Sequence, residues 1–164
     1  TQIADKFKKI FASSFMYDAN GVACWPALAI NYTTKTQYLF RINKGALDEN
    51  DTKLINTFIP NEERPIPFER MLFIGDGSTD IPCFRLMKSL GGNCIAVYNS
   101  QTPGSKKRVQ DIACGGHRVS MIFDTDYSEN SAIENAVKAI LNKVAAEANM
   151  HNLELKTRKE FNLY

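Results

Sequence analysis

The scarcities of this 164-residue chain narrow its class before any motif is read. It has no excess of one charge: 20 Lys and Arg face 18 Asp and Glu, a formal net charge of +2. Composition therefore gives no electrostatic case for a nucleic-acid partner. The longest basic cluster, Lys106-Lys107-Arg108, reads as a solvated helix face. No run approaches the ~18 apolar residues of a membrane span, and no signal-peptide pattern is present, so no membrane partner is expected. Cysteine is sparse. Cys24, Cys83, Cys94 and Cys114 never form Cys-x-x-Cys, and two of them lie in apolar stretches, which suits reduced, buried thiols in a cytoplasmic protein. Cys114-Gly115-Gly116-His117 has ligand-like spacing but no second pair to complete a zinc site, and reads as a turn. Repeats, low-complexity tracts and long linkers are absent too.

What is present is ordinary for a globular domain, 44% apolar and 23% charged residues, arranged as alternating strands and helices. Residues 1–150 read as one α/β unit and 151–164 as a charged, poorly patterned tail, loosely docked or disordered. Ile3, Phe7, Ile10 and Phe11 stand at helical spacing and predict the end of a helix over residues 3–11. Asn20-Gly21 marks a hairpin between Phe11–Phe15 and Ala27–Ile30. Thr34-Lys35-Thr36-Gln37 matches a capping box, placing Lys35 in the first turn of a helix that Gly45 closes. A short helix is predicted over Asn50–Phe58, ending before Pro60. Later strands are predicted at Cys94–Tyr98 and Val119–Phe123, with a helix over Gly104–Ala113 between them. A capping box at Ser131-Ala132-Ile133-Glu134 opens a long helix whose buried stripe is Ile133, Val137, Ile140, Leu141, Val144 and Ala148. Trp25 reads as a packing residue.

The most informative stretch is Met71-Leu72-Phe73-Ile74-Gly75-Asp76-Gly77-Ser78-Thr79-Asp80. Four apolar residues after a Pro65/Pro67 loop predict a central buried strand. Gly75 and Gly77 then allow a sharp turn and close approach to a ligand, at the strand end where open α/β sheets bind. Thr79 is a candidate cap for the following helix, with Pro82 in its first turn and Ile81, Phe84, Met87 and Leu90 inward. Asp76 and Asp80 would share one crevice, an environment that suits a hard divalent ion such as Mg2+. The alternative is a solvated Asp-Gly turn without chemistry. Asp124 and Asp126, at the end of the last strand, are a weaker acidic pair and read as loop or helix-entry residues.

Taken in order, Lys35 at a helix start, Phe73-Ile74-Gly75-Asp76-Gly77-Ser78-Thr79-Asp80 and Ile95-Ala96-Val97 closely resemble the carboxyl-terminal half of haloacid dehalogenase superfamily phosphatases. The likeness is to the phosphoserine-phosphatase-like branch, and it covers roughly residues 1–127. The segment from Ile10 through Asp18-Ala19-Asn20-Gly21 to Thr34-Lys35 resembles that branch's short hairpin. The resemblance implies a doubly wound, Rossmann-like parallel sheet and a Mg2+-dependent phosphomonoester hydrolase working through an aspartyl-phosphate intermediate. It also implies site roles. Asp76 would bind Mg2+, Asp80 would support the metal shell or hold the lysine, and Lys35 would neutralise the nucleophile and the phosphoryl oxygens. The partner would be a small phosphorylated substrate.

One departure from the family shapes this reading. The nucleophile motif Asp-x-Asp should precede Lys35, whereas the only Asp-x-Asp here is Asp124-Thr125-Asp126. A chain beginning at Thr1 is accordingly expected to be the carboxyl-terminal part of the enzyme. Its amino-terminal segment would then bring the nucleophile, the second motif, the substrate-selecting cap and a strand beside that of Asp76. A second class remains open, a non-catalytic module that binds Mg2+ or a phosphorylated ligand, or an inactive fragment. A receiver-like signalling domain would need an early strand-tip aspartate, for which Asp18 in the hairpin is a poor candidate.

Overall fold

The computed structural model describes residues 3–163. It is mixed α/β, with a parallel sheet flanked by helices and a separate hairpin. The hairpin pairs β1 (Ser14–Tyr17) with β2 (Ala23–Leu28), and Asp18 closes its turn by accepting the Asn20 and Val22 N–H groups at 2.9 Å. Both strands lie nearer Asn20-Gly21 than the sequence predicts. Helix α1 (Lys35–Lys44) and the short α2 (Thr52–Asn56) follow. The sheet then alternates: β3 (Leu72–Gly75), α3 (Ile81–Ser89), β4 (Asn93–Tyr98), α4 (Ser105–Cys114), β5 (Met121–Asp124), and finally α5 (Ala132–Phe161).

Among the described residues the sheet order is β3-β4-β5, all parallel. Parallel crossovers have one hand, so two steps in the same direction put both crossover helices on one face. Alternation along β4 shows the result. Cys94 and Ala96 enter a core with Phe84 and Met87 of α3, Val109 and Ile112 of α4, and Leu39, Phe40 and Ile42 of α1. Ile95 and Val97 point to the opposite face, where Ile133, Val137, Ile140 and Val144 of α5 cover them. β4 is buried on both faces, as a central parallel strand should be.

Several sequence expectations change here. β3, which its apolar run predicts to be a central buried strand, is an edge strand among the described residues, with Ile74 40% exposed; an open apolar edge here is what the resemblance implies for a chain without the neighbouring strand. Residues 3–11 hold only a single 3-10 turn, Ala4–Lys6, and Ile3, Phe7 and Ile10 are exposed. A helical stripe with nothing packed on it lacks the tertiary burial that stabilises most helices. The segment beyond 150 continues α5 to Phe161, where the backbone ends left-handed at Asn162. Leu141 faces solvent at 57% exposure, whereas Ala136, on the other flank of the stripe, packs against the sheet. Leu90 and Trp25 are exposed as well.

Candidate functional site

Thr34 precedes α1 as expected, yet its hydroxyl does not cap the helix. It accepts from Asn31 N at 2.9 Å and donates to Ala29 O at 3.2 Å, fixing the tight loop that delivers Lys35. α1 packs beside α3, so the first residue of α1 comes to lie at the carboxyl end of β3. There the Lys35 ammonium donates to Asp80 Oδ1 at 2.6 Å across 45 residues of sequence.

Asp80 is the organising group of this strand tip. Only 3% exposed, it accepts Lys35 at one oxygen and the Asp76 and Gly77 N–H groups at the other, 3.0 and 3.2 Å away. A buried carboxylate requires such partners, because desolvating the charge alone costs several kcal/mol. The residue at the start of α3 is therefore Asp80, preceded by a 3-10 turn over Ser78–Asp80, and the expected Thr79 cap is not made. Pro82 falls in the first turn, where its missing N–H is harmless.

The two glycines act differently from expectation. Neither has a left-handed backbone. Gly75 is needed for space, since a Cβ there would sit 2.6 Å from Asp80 Oδ2 and 2.9 Å from Asp80 Cβ. At Gly77 the nearest neighbour to an added Cβ is 3.8 Å away.

Asp76 is exposed at the mouth of a crevice of about 480 Å3, which Lys35, Asp80, Gly75 and Ile74 also line. Among the described residues no three His, Cys, Asp or Glu side chains converge to form a full metal cage. With both Asp80 oxygens engaged by donors, Asp76 is the strand-tip carboxylate left open. One exposed carboxylate fits a hard ion that retains most of its water and takes further oxygens from elsewhere, as Mg2+ does.

Comparison with known proteins adds little. No family model matches, and no solved structure matches. An uncharacterized protein of Borreliella burgdorferi (strain B31) is 28% identical over 109 residues, which is 65% of this chain and 35% of that protein. The chain thus spans about a third of the length of that relative.

The other sequence candidates are accounted for locally. Asp124 Oδ1 accepts Ser100 N at 2.9 Å and Thr125 N at 2.8 Å, and these contacts, with Ser100 foremost, hold its carboxyl below the usual range. Asp126 accepts Ser128 N at 3.0 Å, and Ser128 lowers it likewise. Both carboxylates shape loops. Cys114 is the last residue of α4, exposed and unpaired, with the turn following at Gly115–His117, whereas Cys83 and Cys94 are fully buried free thiols that desolvation pushes up to about 11. Residues that sequence reasoning missed line the crevice wall: Lys9, Phe11, Ile30 and Tyr38. Sequence pattern absorbs Lys9 and Phe11 into a supposed helix over residues 3–11, Ile30 into a hairpin strand and Tyr38 into the apolar positions of α1.

Proposed function

We propose that the parent protein is a Mg2+-dependent phosphomonoester hydrolase of the haloacid dehalogenase type, to which this chain contributes the lysine and one metal-binding carboxylate. The observation that carries the reading is the Lys35–Asp80 pair at 2.6 Å beside the exposed Asp76, at the carboxyl end of a parallel strand. Asp80 keeps the ammonium in place and shapes the Asp76-Gly77 backbone. Lys35, still a third exposed, turns a positive charge toward the crevice, where it would offset charge on phosphoryl oxygens. Asp76 would hold Mg2+, which when bound supplies charge neutralisation at the transferring phosphoryl group.

The nucleophile belongs, in this reading, to polypeptide outside residues 1–164. Its strand would pair along the open edge of β3, where Ile74 and the apolar wall of the crevice stand uncovered. The greater length of the relative agrees with such a segment. The second reading, a binding module or inactive fragment, draws on the fact that Asp124 and Asp126 are committed to loops and offer no acceptor to the crevice.

Phosphate release from a chromogenic monoester distinguishes the two. In the intact protein with saturating Mg2+, Asp76→Asn and Lys35→Ala should each lower turnover by about 100-fold or more, while Lys106→Ala leaves it unchanged. Residues 1–164 alone should release no phosphate. Full turnover in Asp76→Asn, or equal losses in all three variants, would refute the assignment.

A further inference from the structure

We propose that residues 9–13 form a strap that positions Lys35 against Asp80, with Phe11 as its central positioning residue. The inference extends the phosphatase reading by naming what holds its lysine, and its test is made on geometry instead of turnover.

Three anchors fasten this irregular segment to α1 and to the loops on either side of it. Beyond the carboxyl end of the helix, Lys9 Nζ lies 2.9 Å from Glu49 Oε2. At its middle, the Phe11 ring packs on Tyr38 with centroids 5.0 Å apart, and the Lys9 ammonium lies 5.3 Å from the Phe11 centroid. Before the amino end, Ser13 Oγ accepts the Ile30 N–H at 3.0 Å, in the loop whose Ala29 carbonyl is held by Thr34. The strap therefore fastens α1 at Tyr38 and ties it to the loops that precede and follow it in sequence.

Lys35 needs such a clamp for two reasons. A cation in the first turn is disfavoured by the positive end of the helix dipole. Its four-carbon stem also carries rotamer entropy that must be lost when the ammonium is fixed. Tyr38 follows Lys35 by three residues and so shares its side of the helix. Through Tyr38, Phe11 walls the same crevice that Lys35, Asp76 and Asp80 line. Residues 7–13 form no ladder or helix of their own, so these side-chain anchors carry the placement.

The measurement is residue-resolved amide hydrogen exchange by NMR on the intact protein. The reporters are the Asp76 and Gly77 N–H groups, which donate to Asp80. Losing one aromatic pair in Phe11→Ala should speed exchange at these two amides by roughly three- to tenfold, with Ile95 and Val97 in β4 unchanged. Phe11→Tyr should restore the native rates. Lys9→Met, at a partly exposed side chain with little risk to folding, should reproduce the pattern at smaller amplitude. Because the effect runs through Lys35, Phe11→Ala combined with Lys35→Met should exchange no faster than Lys35→Met alone. Unchanged rates in both strap variants, a uniform rise across the sheet, or additive effects in the double variant would overturn the strap. Absence of phosphatase turnover with this exchange pattern intact would instead remove the functional reading and leave the strap standing.

Discussion

Gly75→Ala is the sharpest perturbation of the strand tip, because its cost follows from distances alone. The new methyl would lie 2.6 Å from Asp80 Oδ2, 2.8 Å from Cγ and 2.9 Å from Cβ. Rotating the carboxylate cannot relieve contact with its own Cβ, so either β3 shifts or Asp80 leaves. If Asp80 leaves, the Asp76 and Gly77 amides lose their acceptor and Lys35 loses a 2.6 Å partner. Overpacking costs about 1–3 kcal/mol, and each hydrogen bond to a charged group about 1.5–3 kcal/mol. Partial relaxation trades one penalty against the other, so a net loss of about 3–4 kcal/mol is expected. Urea unfolding reads this directly: with a slope of about 2 kcal/mol/M, the midpoint should fall by about 1.5–2 M. Gly77→Ala is the matched control. Its backbone is extended, at φ −141°, and its nearest neighbour is 3.8 Å from the added carbon, so the midpoint should move by less than about 0.3 M. Equal shifts for the two alanines, or a Gly75→Ala shift as small as the control, would refute the claim that Gly75 exists to admit the Asp80 carboxylate.

Two further outcomes follow from the core. Cys83 and Cys94 are fully buried with pKa values pushed from 9.0 to about 11, so the unfolded chain releases these protons first. The contribution of the two thiols to stability should therefore be constant through neutral pH and fall between about pH 9 and 11, by up to about 3 kcal/mol per thiol. Urea titrations across that range, in wild type and in Cys83→Ala/Cys94→Ala, check it, and an equal alkaline loss in the double variant would contradict it. Ile140→Ala should cost about 2–4 kcal/mol by opening the face under α5, whereas its neighbour Leu141→Ala should change stability by less than about 0.5 kcal/mol. Thermal melts of the two variants side by side decide whether the helix faces have been placed correctly.

The sequence alone determined the features whose causes are local. The alternation of strands and helices, the start of α1 at Lys35, its closure at Gly45, the buried run of β4 and the Ser131 cap of α5 all arise from periodicity and turn chemistry within a few residues. The Gly75–Asp80 stretch was legible as a strand tip rich in oxygen donors for the same reason. Tertiary structure decided everything that depends on what lies opposite. Lys35 and Asp80 are 45 residues apart, and no spacing rule makes them touch; the packing of α1 against α3 does. The apolar residues Ile3, Phe7 and Ile10 have helical spacing but no partner surface, and they form no helix. Leu141 belongs to an apolar pattern yet faces water, since the contact of α5 with the sheet runs along Ile133, Val137, Ile140 and Val144 and extends to the Ala136 flank, leaving the Leu141 flank uncovered. Periodicity reports which side of a segment is apolar, whereas burial, and with it the placement of a charge, is set by the element that arrives to cover it.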